Sequence, residues 1–169
     1  NSISQPAYKF TIDNPHFIAD SDVFITINLE SKDTLSLQRN ALKIYQNLLK
    51  FHRKDRVSKA FVAVDIERLN FVAQHAVFSD VDNQLLKTLE LASNDLKTSA
   101  LSTFYSFEIA AIYKKQGDEY NNTLKDNECN TKNRWKLKEA KALCNSAVSK
   151  FPNSIGAKKC EVLIAHIHK

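Results

Sequence analysis

Glycine and proline are scarce in this chain of 169 residues, which holds only Gly117, Gly156, Pro6, Pro15 and Pro152. A strand-and-turn architecture needs many positive-φ and turn positions, so their scarcity excludes one and favours long helices. No apolar run approaches the ~20 residues that a helical membrane span requires. The two glycines lie far apart, which excludes a glycine-rich loop that cradles phosphate. No Ser-His-Asp, Cys-His or paired-carboxylate set can be singled out. Asp65 with Glu67, and Asp80 with Asp82, are expected as surface or capping acids. Catalytic, cofactor-binding and metal-binding residues are therefore expected to be absent, and the chain is read as not an enzyme. There is no visible signal peptide, and the chain begins at Asn1. It is expected to be a piece of something longer.

What is present is helical periodicity. The expected fold is all-α, built from antiparallel helix pairs, over residues 34–169. An extended N-terminal arm is expected over 1–33, because Pro6 and Pro15 oppose a regular helix there. Phe24 to Leu29 alternates apolar and polar residues, as a short strand or an arm would, with Tyr8, Phe10, Phe17 and Phe24 packing it down.

The first helix begins near Leu35, and Leu35, Leu42, Tyr45, Leu49 and His52 recur on one face of it. Helices follow at about 56–77, 81–93, 98–116, 134–151 and from 153 or 154 onward. Asp80 or Asp82 is an expected N-cap, as is Asn153 or Ser154. Gly117 stands where a left-handed residue commonly ends a helix. Residues 117–133 are expected as a polar loop. Phe61, Phe71, Phe104, Tyr105 and Phe107 fall at helical spacing and are read as core aromatics. Tyr105, Tyr113 and Trp135 are the expected lining of a partner groove.

The formal charge of +5 comes from Lys and Arg spread among Glu, Asp and Asn. Such a spread reads as solvated helix faces, so nucleic acid is not the expected partner. A basic helical adaptor for nucleic acid or an acidic ligand is the alternative. His166 and His168 lie two apart on a helix and point in different directions, which argues against a metal site. His75, near a helix end, is read as capping or packing.

Residues 110–117, AAIYKKQG, resemble the end of the first helix of a tetratricopeptide repeat. Residues 135–154, WKLKEAKALCNSAVSKFPNS, resemble its second helix and the Pro turn that follows. The insertion at 117–133 departs from the repeat length of about 34, so the repeat is degenerate.

The segments AYKFTIDNPHF, LKFHRKD, LNFVAQHAVFSD and KALCNSAVSKFPNSIGAKKCEVLIAHI extend the likeness. In that order they are similar to the N-terminal helical region of large alpha-2-macroglobulin-like proteins of Bacteroidetes. The resemblance implies a degenerate tetratricopeptide-like α-α superhelix that acts as a non-catalytic scaffold or protein-interaction domain. It implies export to the periplasm or an outer-membrane association, within a parent that traps or inhibits proteases. The implied partners are the following β-sandwich domains of the same polypeptide, or an envelope protein. Under that export, Cys144 and Cys160, on inward faces of consecutive helices, become a candidate disulfide. The alternative is two small buried thiols at a helix crossing. Cys129 is expected as an unpaired surface thiol. Asp33-Thr34-Leu35 resembles a glycan-acceptor sequence of such exported proteins, or else Thr34 caps the first helix.

Overall fold

A run of side-chain caps sets the start of the chain. The computed structural model describes residues 9–120 and 128–167, apart from the side chains of residues 128–130. Tyr8, His168, the side chain of Cys129 and residues 121–127 of the expected polar loop lie outside the described residues; the rest of that span is not all loop, since 117–118 end one helix and 128–133 form another. Asn14 accepts from the amide of His16 at 2.9 Å and opens a 3₁₀ turn, Pro15–Ile18. Pro15 occupies its first turn, where a missing N–H costs nothing. Asp20 accepts from the amides of Asp22 (2.9 Å) and Val23 (3.2 Å) and opens the short helix α1, Ser21–Phe24.

The longer helices are α2 (Leu37–His52), α3 (Lys59–His75), α4 (Val81–Asp95) and α5 (Ser102–Asp118). They are followed by α6 (Glu128–Asn133), α7 (Lys136–Lys150) and α8 (Ile155–Ile167). The fold is all-α, with no strand among the described residues. Ser36, rather than Thr34, caps α2 by accepting from Arg39, and Ser58 caps α3 in the same way. Ser154 caps α8. Asp80 precedes α4 with a φ of 63° and accepts from the side chain of Asn83.

By its contacts the chain divides into two compact units, one ending at Thr88 and one beginning at Leu89. In the first unit α2 and α3 pack as a hairpin. The N-terminal segment is not an arm laid over finished helices. Ile12, Phe17, Ile18, Phe24, Ile25 and Leu29 are buried and form part of this unit's core. Residues 24–29 form no strand, which leaves their carbonyls without ladder partners, and buried carbonyls need partners.

Side chains supply them. Arg39 Nε donates to Leu29 O at 2.7 Å, and Gln46 Nε2 donates to Phe24 O and Ile27 O, both at 2.9 Å. Thr88 donates to Ile18 O at 2.9 Å. Arg68, fully buried, donates to Phe17 O at 3.0 Å, to Ala19 O at 2.7 Å and to Asp65 Oδ1 at 2.6 Å. Its guanidinium also lies 4.7 Å from the centre of the Phe24 ring. Asp65 is therefore a buried ion-pair partner, not the surface acid that its neighbour Glu67 suggested. His75 packs on Phe71, with ring centres 4.6 Å apart.

In the second unit α5, α7 and α8 all pack on one another. Their crossing is built from small residues: Ala110, Ala140, Cys144, Ala147 and Cys160 are buried, with Leu163 beside them. Small side chains let helix backbones approach closely, and dispersion contacts then accumulate along the whole crossing. Both glycines mark such approaches. A Cβ on Gly156 would stand 2.5 Å from the Thr103 carbonyl carbon and 2.7 Å from Phe104 N. A Cβ on Gly117 would stand 2.7 Å from Leu137 Cγ. Gly117 thus lies inside α5 with a negative φ, and the expected left-handed helix end is corrected: α5 runs on to Asp118 because Gly117 is needed for packing.

Candidate functional site

The second unit carries a cleft of about 340 Å³ between the end of α4, α5 and α7. That volume lies at the lower end of the range for small-ligand and peptide sites. Ile109, Leu143 and Ala147 give it an apolar floor, and Ser102, Thr103, Ser106 and Ser146 give it hydroxyls. Lys97 and Lys150 stand in the lining, as do Glu90 and Tyr113.

The local sequence explains these positions. Ser102 and Ser106 lie four apart on α5 and so share one face, as do Ser146 and Lys150 on α7. The α5 hydroxyls bond backward to their own helix. Ser102 donates to Ser99 O at 2.8 Å, Thr103 to Ala100 O at 2.6 Å, and Ser106 to Ser102 O at 3.1 Å. With their protons engaged, the Ser102 and Ser106 oxygens stand in the lining as acceptors, whereas Thr103 is buried and also bonded to Ser154 Oγ at 3.1 Å. Lys150 Nζ donates to the carbonyl of Lys97, which ties α7 to the segment after α4.

Tyr113 donates to Glu90 Oε1 at 3.1 Å. Burial, and then the Glu90 carboxylate, push its phenol up to about 12. Lys136 Nζ lies 4.1 Å from the centre of the Tyr113 ring and pairs with Glu139 at 2.7 Å. No histidine or cysteine stands among the described lining residues to act as base or nucleophile. What the cleft offers is an apolar floor, hydrogen-bond acceptors and two amines, a set suited to holding a polar chain.

Of the three residues expected to line a partner groove, only Tyr113 reaches the cleft. Tyr105 is 1% exposed, and burial in the core removes it from any groove. Trp135 is 57% exposed and lies under Arg134 and Lys138, outside the cleft lining. The sequence reading missed the serine faces and the α4 end. The signal available was the four-residue spacing of Ser102 with Ser106, together with Ser93 and Lys97.

Cys144 and Cys160 meet beneath the cleft floor as free, buried thiols. Their side chains are hydrogen-bonded to each other. Cys144 is lowered by that bond, while Cys160 is raised well above the ordinary thiol range by the same bond and by burial. His166 is exposed. Among the described residues no three His, Cys, Asp or Glu side chains are grouped to hold a metal ion. None of the described helices is long and apolar enough to cross a membrane. No protein-family model, curated protein or solved structure matches the chain.

Proposed function

We propose that this chain is a non-catalytic protein-interaction domain that holds an extended segment of a partner protein in the cleft of its second unit. The observation that carries the reading is the make-up of that cleft. The apolar floor of Ile109, Leu143 and Ala147 lies beside hydroxyl acceptors and the amines of Lys97 and Lys150. An extended peptide presents free N–H groups that the hydroxyl oxygens can accept. An acidic side chain on it would lie near the two lysines.

The finer form of the proposal follows the family resemblance. The domain would be a degenerate tetratricopeptide-like scaffold of an exported alpha-2-macroglobulin-like protein in the periplasm or outer membrane. Its partner would be the following domains of that protein or another envelope protein. The mutual packing of α5, α7 and α8 supports this reading. In an oxidising compartment the Cys144–Cys160 contact would close to a disulfide. Three free thiols in unreduced protein from that compartment would reject the bond.

The test is selection of displayed random peptides on the full chain, followed by binding to Ser146→Trp. Ser146 is exposed, so the bulky residue fills the cleft without entering the core. Enriched peptides should bind the variant at least about tenfold more weakly. Equal binding to both proteins would reject the cleft as the site. For the finer form, a longer protein containing this chain should lose localisation or protease trapping when residues 1–169 are removed. Full retention of both would reject it.

A further inference from the structure

Helix α2 carries two apolar stripes, and only one of them is used by the fold. Its buried residues are Arg39, Leu42, Gln46 and Leu49, two of them polar. On the opposite side lie Leu37, Ala41, Ile44, Leu48 and Phe51, an unbroken apolar series at steps of four, three, four and three. At about 100° per residue this second series spans about 80° of the helix circumference, opposite the buried face. The spacing is that of a heptad seam, the pattern that packs one helix against another. Leu37, Ile44, Leu48 and Phe51 are 84%, 59%, 39% and 80% exposed.

We infer that this stripe is a self-association surface, and that two copies of the chain pair antiparallel through α2 with Ile44 on the two-fold axis. Three observations favour a second copy as the occupant. The first is self-complementarity. Antiparallel pairing about Ile44 sets Leu48 against the partner's Ala41, and Phe51 against the partner's Leu37. A two-fold interface requires that match of a patch with itself, and large against small lets the layers interlock.

The second is charge. Of the residues flanking the seam, Gln38, Asn40, Tyr45 and Asn47 are uncharged, and His52, packed edge-on against Phe51 with ring centres 5.0 Å apart, stands at its C-terminal end. Parallel pairing would bring His52, and Lys54 just beyond the helix, beside their own copies. Antiparallel pairing parts the two clusters by about the length of the helix, roughly 24 Å, well beyond the Debye length of ~8 Å.

The third is area. With about 200 Å² for a fully exposed large apolar residue, the four exposures amount to about 500 Å² per copy. A pair would bury about 1,000 Å², the lower bound for a specific interface. Association at this size is expected at micromolar concentrations, on the order of 1–100 μM.

Sedimentation of the full chain over a range of concentrations tests the inference. The expected result is a mass rising from 19.2 kDa toward twice that value. Ile44→Asp, which sets two carboxylates together on the axis, should weaken association at least about tenfold. Its helical circular dichroism should stay unchanged, because position 44 is exposed. With Cys129→Ser, an Ile44→Cys chain should oxidise to a covalent dimer, as only the axial position meets its own copy. A monomer at every concentration overturns the pairing, and one that co-sediments with anionic vesicles assigns the stripe to a membrane surface instead. A dimer unaffected by Ile44→Asp overturns it as well, because the copies then meet elsewhere.

Discussion

The unit ending at Thr88 and the unit beginning at Leu89 reach stability by opposite means. The first contains a long irregular segment, so its cohesion depends on polar side chains reaching unpaired carbonyls. Arg39, Gln46, Arg68 and Thr88 all serve this purpose. The second is mostly helix among its described residues, with helical backbone groups paired internally, and it gains cohesion by bringing helices close through alanine, glycine and cysteine. Irregular backbone demands buried polar side chains. Regular backbone permits a core of small apolar ones.

The largest effect should come from breaking the first arrangement. Arg68→Met takes the guanidinium away from the buried Asp65 side chain, and removes the donor to Phe17 O and Ala19 O. A loss of about 3–5 kcal/mol is expected in urea unfolding, because one partner of a buried ion pair is removed. Adding Asp65→Leu should restore a large part of it. A loss below about 1 kcal/mol for the single variant would mean that the segment is held by apolar contact instead.

The second arrangement should yield to an opposite change, the addition of one methyl group. Gly156→Ala directs a Cβ at the backbone of Thr103 and Phe104. Alanine favours the helix by about 1 kcal/mol, while overpacking against backbone costs about 1–3 kcal/mol. A net decrease in Tm is expected, and an increase would show that α5 and α8 can part freely. Ala142→Gly on the exposed face of α7 serves as the control, and should cost only helix propensity.

The smallest effect is a matter of pH. The Tyr113 phenol is pushed up to about 12 in the folded chain, from an ordinary value near 10. Its neutral form is therefore favoured by folding. The stabilisation is fully present below pH ~10 and is lost as pH rises through ~12. Ultraviolet titration should show a late component to which Tyr113 contributes beside Tyr45, itself raised by burial and by Glu67, and Tyr113→Phe should reduce it. Unchanged titration after the substitution would mean that the Glu90 contact does not hold the phenol.

The helices were legible because their patterns are long and their breakers few. Leu42 and Leu49 are inward as the periodicity indicated, and Ser154 caps α8. Leu35 continues the row of Leu42 and Leu49 but is exposed, because Ser36 caps α2 and Leu35 lies before its first turn. The N-terminal segment was read as an arm because carbonyls served by distant side chains leave no local pattern. Arg68 lies 49 residues from the Ala19 carbonyl it holds, and its only near signal is Asp65 three positions before it. Gly117 was read as a helix end since a glycine required for close approach looks the same in sequence as one required for positive φ. Of the residues expected in a groove only Tyr113 stands in the cleft lining, because aromatic identity does not separate the buried Tyr105 from the exposed Trp135.

The contrast between the two units is tested most directly by amide hydrogen exchange on the full chain, native and Arg68→Met, read segment by segment. The account requires protection to fall in residues 10–30 and in α2 and α3, while α5, α7 and α8 keep theirs. Equal loss across both units, or no loss around residues 10–30, would contradict it.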